Sequence, residues 1–200
     1  MGYLREVSIG VNLQYIMWGD FMSRFYHIDR LNSLRVGQEI NLMKFKDISC
    51  NNPSINAALQ SQFDMFMKEG VSRHGDHYFA TNPFFYDTSY DIELIFEYER
   101  KLNFPELPSR FQSLFAVDRE NIFPMLYRLG ALHKSVRIYE VECNNYFKAD
   151  MNLLYKGSNL INTFYAKRYW SGENLSAPLY EYLLKLPVKV IRRVAREELL

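Results

Sequence analysis

Three groups of polar residues interrupt stretches that otherwise read as buried strand. Tyr26, His27 and Arg30 fall in "RFYHIDR", Ser109, Arg110 and Ser113 in "SRFQS", and Glu181 in "LYEYLL". A polar group taken into an apolar strand without a partner costs on the order of 1–3 kcal/mol, so each interruption asks for a reason. The residue types are those a ligand-holding site needs. An imidazole exchanges hydrogen bonds, a guanidinium forks onto a carboxylate or phosphate, and a carboxylate stabilises a developing positive charge. The plainer reading is that each lies on a solvent face. Asp150 is a further acid, with an N-cap of the following "MNLLYKG" as its structural alternative. Glu140 and Glu142 in "EVE" alternate with apolar residues, which predicts that both face solvent. "HGDH", His74 to His77, has the look of a metal pair, but no further ligand set accompanies it and Gly75 reads as a turn, so no metal is expected.

The elements that must carry these residues are legible in outline. "RFYHI" has strand composition, and "SLRVGQEINL" continues as a turn and a second short strand. "PSINAALQSQFDMFMKEG" sets Ile55, Ala58, Leu59, Phe63, Phe66 and Met67 near one helical face, with Gly70 as the stop. "VSRHGDHYFATNPFFYD" reads as irregular. In "TSYDIELIFEYERKLNFP" Thr88 or Ser89 caps a helix whose apolar stripe is Ile92, Ile95, Phe96 and Leu102. "RFQSLFAVD" reads as a strand, "RENIFPMLYRLGA" as a helix ending at Gly130, "SVRIYEVEC" as a strand and "DMNLLYKGSNLINTFYAKRYW" as mostly helical. In "RYWSGE" an aromatic anchor before a Gly turn is preferred to a cap over a site. "LYEYLL" and "VKVIRRV" are two strands separated by a turn at residues 185–187. Without a regular βαβ rhythm, the fold class is α+β, and one domain spans residues 1–200, with 1–21 as an N-terminal extension.

Composition narrows the function classes. Of the 200 residues 48% are hydrophobic and 24% charged, a globular mixture. Fifteen Tyr, 15 Phe and 2 Trp favour a β-rich core, although aromatics also stack on flat ligands. The net charge of +1 excludes a chain-wide electrostatic grip on nucleic acid and leaves local basic patches open. Two cysteines without a pairing motif, Cys50 and Cys143, suggest a reducing compartment, and Cys143 is expected to pack as a small hydrophobe. With no long apolar run and no signal-peptide pattern, the expected location is cytoplasmic. No Gly-rich dinucleotide fingerprint and no phosphate-binding loop occurs.

In chain order the motifs resemble the ADP-ribosyltransferase superfamily of bacterial toxins, rifampin-modifying transferases and poly(ADP-ribose) polymerases. "FYHIDRLNSLRVGQEINL" resembles the opening segment of the rifampin-modifying enzymes, with "HID" where they carry "HGT". "SRFQSLFAVD" resembles the middle strand, with Ser113 or Phe115 where the family keeps a serine or aromatic. "VRIYEVECNNYFKADMNLL" resembles their acidic segment, which brings Asp150 near the acidic residue. "LYEYLLKLPVKVI" resembles the late strand pair of the polymerases and toxins, whose glutamate would be Glu181. The resemblance covers roughly residues 23 to 194. The patterns "YHxDR", "SRFxSLFA" and "YWSG" are also similar to those of a bacterial family of uncharacterised domains.

The resemblance implies a split antiparallel β-sheet core with flanking helices and NAD+ as co-substrate. It implies transfer of ADP-ribose to a macromolecule, protein or nucleic acid, by an intracellular toxin of toxin–antitoxin or anti-phage type with an antitoxin as partner. The alternative is an inactive module of the same fold that binds an ADP-ribose-like ligand or a partner protein. Cleaving the nicotinamide–ribose bond passes through an oxocarbenium-like state, which a carboxylate stabilises. Glu181 is preferred for that role, with Asp150 as the rival. His27, beside Glu181 across a cleft, is expected to donate to a ribose hydroxyl. Tyr26, Ser113 and Phe115 complete the dinucleotide site, and Arg30 or Arg110 pairs with the pyrophosphate.

Overall fold

The computed structural model describes residues 23–44, 56–80 and 87–199. The expected N-terminal extension, Cys50 and Ile55 lie outside them. Two antiparallel sheets form the centre. The first has the order β1 (Ser23–Asp29), β4 (Arg137–Cys143), β7 (Val188–Val194), β2 (Glu39–Ile40). The second has the order β3 (Ser113–Ala116), β6 (Tyr180–Lys185), β5 (Tyr146–Asp150). They meet where Tyr26 and Val117 exchange both backbone hydrogen bonds, at 2.8 and 2.9 Å. The fold is therefore α+β with antiparallel sheets and flanking helices.

Three apolar layers follow from strand alternation. Phe25, Tyr139, Val141, Tyr182, Leu184 and Val190 share one core drawn from both sheets. The opposite face of the first sheet, with Ile28, Ile138 and Val194, is covered by α4 (Ile122–Arg128) through Met125 and Leu126. The opposite face of the second, with Phe147 and Leu183, is covered by α3 (Ser89–Asn103) and α5 (Asn159–Trp170) through Phe96, Ala166, Tyr169 and Trp170. A fourth cluster, Phe63, Met67, Val71 and Phe111, ties α1 (Asn56–Met67) to the entry of β3. Among the described residues no helix is long and apolar enough to cross a membrane.

Several expectations are corrected. The segment "SRHGDHYFA" is ordered: Ser72 caps the short α2 (Arg73–Gly75), which runs on as a π-helical turn, Asp76–Ala80. Gly75 does not mark a turn. A Cβ there would stand 2.2 Å from the Phe111 carbonyl oxygen, so glycine is required by a close backbone approach. Leu102 is not on the core stripe of α3 but 76% exposed, and the buried face is Ile92, Glu93, Phe96, Glu97 and Arg100. Glu140 does not face solvent: it is 4% exposed and pinned between Arg24 and Arg192, each at 2.9 Å. The strands β6 and β7 follow one another closely yet belong to different sheets, so the turn at 185–187 is a crossing between layers. As expected, Gly70 and Gly130 end their helices in left-handed backbone, at φ +107 and +59, and Cys143 is buried, its thiol pushed up by burial.

Asp150 is fully enclosed at the end of β5. Its Oδ1 accepts from the backbone N–H groups of Asn152 and Leu179, and its Oδ2 from that of Leu175, each at 3.0 Å. One carboxylate thus caps the 3-10 turn Met151–Leu153 and fastens the segment entering β6. Asp150→Ala is expected to cost about 3 kcal/mol, and Asp150→Asn about half of that, since charge-assisted bonds to buried donors are lost or weakened. Urea unfolding of both variants measures it.

Candidate functional site

Arg110 occupies a single 3-10 turn, Arg110–Gln112, just before β3. Ser109 caps that turn through its Oγ, which accepts from the Phe111 N–H at 3.1 Å and donates to Glu97 Oε2 at 2.8 Å. Ser113 donates back to the Ser109 carbonyl at 2.7 Å. These serines fix the turn, and the turn aims Arg110 inward beneath α3 and α5.

The guanidinium is 3% exposed and every one of its nitrogens is engaged. Nε and Nη2 fork onto Glu93 Oε2 and Oε1 at 2.8 and 2.9 Å. Nη1 donates to Glu181 Oε1 and to the Tyr169 hydroxyl, both at 2.6 Å. Tyr169 in turn donates to the same Glu181 oxygen at 2.8 Å. The Phe115 ring covers the guanidinium at 4.7 Å. Burial opposes the charge on Arg110, but Glu181 and Glu93 outweigh it and hold the guanidinium charged. Burial likewise opposes ionisation of Glu93, and Arg110 and His74 outweigh it, so that carboxyl stays well below the usual range. Burial pushes the Tyr169 hydroxyl well up, so Tyr169 remains a donor.

Glu181 lies on the central strand of its sheet, not at an edge, and is 3% exposed. Its two oxygens differ. Oε1 takes both bonds, while Oε2 accepts none from the described residues. The enclosed side-chain atoms without a partner among the described residues are His74 Nε2 and Asn162 Oδ1. Asp150, by contrast, has both oxygens engaged.

The other expected site residues separate. His27 sits on β1, and its Nδ1 lies 2.7 Å from the Phe115 carbonyl. A carbonyl only accepts, so Nδ1 carries the proton. Burial lowers the proton affinity of the ring, with Arg73 and Arg30 adding to the effect, and the ring is neutral. Its Nε2 is then an acceptor, which reverses the expected donation to a ribose hydroxyl. No hydrogen bond among the described residues joins His27 to Glu181. Phe115 stands between them, with its carbonyl toward His27 and its ring over Arg110. Tyr26 alternates away and packs with the α4 cluster. Arg30 is exposed just past β1, whereas Arg110 is buried with four of its five N–H donors engaged by Glu93, Glu181 and Tyr169.

Glu93, His74 and Tyr169 belong to this centre and are not among the residues expected from the sequence. Glu93 and Glu97 share a helical face with Ile92, Phe96 and Arg100, a spacing visible in "DIELIFEYER". His74 was set aside with the supposed metal pair. Its ring lies 4.6 Å from Phe115 and 4.5 Å from Tyr78, and its Nε2 is 3.1 Å from Glu93 Oε2. Tyr169 belongs to the centre as well, while its neighbour Trp170 is the expected anchor, donating to the Phe96 carbonyl at 2.7 Å. Among the described residues no group of three or more His, Cys, Asp or Glu side chains could hold a metal.

A family model described as "Protein of unknown function (DUF2441)" matches residues 25–196, which spans all of these groups. The comparison with curated proteins returned no match.

Removing the guanidinium strands two buried carboxylates. Arg110→Met is expected to lose about 3–5 kcal/mol of stability. Glu93 sets the pH response. Its folded value is depressed, so the stability from its charge is complete above its ordinary value of 4.5 and is lost as pH falls below it. Urea midpoints across acid to neutral pH are expected to fall more steeply for the wild type than for Glu93→Gln.

Proposed function

The chain belongs to the DUF2441 family, and we propose that it is an NAD+-dependent ADP-ribosyltransferase that acts on a macromolecule. The observation that carries this reading is the asymmetric tether of Glu181. One oxygen is locked by Arg110 and Tyr169, and the other accepts no hydrogen bond from the described residues. An oxocarbenium-like ribose needs a carboxylate that is ionised, fixed in place and open on one side. The split antiparallel sheet and the succession of His27, Phe115 and Glu181 agree with the resemblance in the motifs.

In this reading Glu181 Oε2 takes a ribose hydroxyl or faces the anomeric carbon as the nicotinamide bond lengthens. His27 Nε2 accepts from the second ribose hydroxyl and holds the dinucleotide in its reactive bend. Phe115, whose ring also covers the Arg110 guanidinium, gives an aromatic wall for the nicotinamide ring. Arg30, which is exposed, takes the pyrophosphate, since Arg110 is buried and tied to Glu93, Glu181 and Tyr169. Asp150 has only a structural part. The acceptor is a protein or nucleic acid, and the biological setting is an intracellular toxin held in check by an antitoxin or released in phage defence.

A second reading follows from one observation: Glu181 is 3% exposed. So enclosed an acid suits a module that binds an ADP-ribose-like ligand or partner protein without turning NAD+ over.

Incubation with labelled NAD+ and cell lysate separates the two. The transferase reading expects nicotinamide release and label transfer. It expects Glu181→Gln to lower release by about a hundredfold or more while the protein stays folded. Asp150→Asn is expected to lose stability and keep its turnover per folded molecule. Binding of ADP-ribose with no nicotinamide release from the wild type supports the module. Neither release nor an NAD+-induced thermal shift overturns both.

A further inference from the structure

His74 touches the ionic centre through Glu93. Its Nε2 stands 3.1 Å from Glu93 Oε2, a distance suited to an ion pair. The same atom is enclosed and makes no hydrogen bond of acceptable angle. The contact is close, charged on one side and unfinished on the other.

The charges around it do not balance without it. Two carboxylates, Glu93 and Glu181, share one guanidinium, which leaves one negative charge over. An unbalanced charge in so enclosed a place is costly. A proton from solvent on His74 would give Glu93 its own partner and leave the charge of Arg110 to Glu181. We propose that His74 is a positioning residue for Glu181 that acts through Glu93 and Arg110: in its cationic form it takes up the charge of Glu93 and so leaves the Arg110 guanidinium to hold Glu181 in place. This rests on the transferase reading.

The neighbours of His74 include Glu93 on α3, Phe111 just before β3, Phe115 on β3 and Tyr78 on the π-helical turn, and through Glu93 it connects to Arg110, Glu181 and Tyr169. On the π-helical turn, Tyr78 packs on the ring, and burial raises its hydroxyl's proton affinity. His77 is turned to Tyr90, 3.5 Å from its hydroxyl. From β1, His27 is neutral and Arg30 is exposed. Between mildly acid and neutral pH the histidines are therefore the groups to discriminate.

The test follows nicotinamide release from NAD+ against pH. His74→Gln is expected to lower kcat about tenfold, the size of one charge-assisted contact, with KM little changed, and to flatten the pH profile. His74→Lys, a permanent cation, is expected to restore kcat and also to flatten the profile. In a Glu93→Gln background, His74→Gln is expected to have no further effect. His77→Gln is expected to keep the wild-type profile. An unaltered profile in His74→Gln, or equal loss in His74→Gln and His74→Lys, overturns the proposal, because a ring that only packs would behave so. The Tm of the same variants against pH needs no turnover. A gap between wild type and His74→Gln is expected, and it is expected to vanish with Glu93→Gln. If the wild type releases no nicotinamide, the transferase reading fails while this coupling is still read. If the gap persists with Glu93→Gln, the link between His74 and Glu93 fails whatever the activity.

Discussion

The structure depends on keeping one guanidinium charged in a place that water barely reaches. Arg110 is reached from four elements at once: Glu93 from α3, Tyr169 from α5, Glu181 from β6 and Phe115 from β3. Neither the guanidinium nor either carboxylate could be buried alone without a penalty of several kcal/mol. Together they fix how the two helices sit on the second sheet. The apolar contacts of Phe96, Ala166 and Trp170 with that sheet drive the burial, and the ionic centre determines its register.

The same constraint is repeated one helical turn away. Glu97 receives Arg100 at 2.8 Å and the Ser109 hydroxyl at 2.8 Å, and Arg100 reaches the carbonyls of Pro105 and Leu107. That second pair holds the chain between α3 and the Arg110 turn. The aim of Arg110 is therefore supported by a network that does not touch Glu181. A rigid support of this kind suits a carboxylate that has to wait in place for a substrate.

Comparison of the two rival acids shows how little residue type decides. Asp150 and Glu181 are both nearly inaccessible carboxylates at the same end of the β5–β6 ladder, where Asp150 stands opposite Tyr180 and Glu181 opposite Ala149. Three backbone donors occupy both oxygens of Asp150 and make it a fastening. Two side-chain donors occupy one oxygen of Glu181, and the other accepts no hydrogen bond from the described residues. The difference lies in hydrogen-bond saturation, which no local pattern around either residue encodes.

What the amino-acid order determined by itself was local. The strand composition of "RFYHI" and "SVRIYEVEC", the helical periods of α1 and α3 and the helix-ending Gly70 and Gly130 are all fixed by neighbours within a turn or two, and they were readable. So was the oddity of Arg110 and Glu181 in apolar surroundings. The partner of each was not readable, because Arg110 meets Glu181 across 71 residues and Tyr169 across 59. The same holds for Leu102, whose period matched a core stripe that the packing of α3 turned outward. Gly75 looked like a turn and was instead a place where two backbones nearly touch. Only the tertiary structure decided which polar groups would saturate one another, since a buried charge is settled by the donors that arrive from distant elements and not by its own place in the chain.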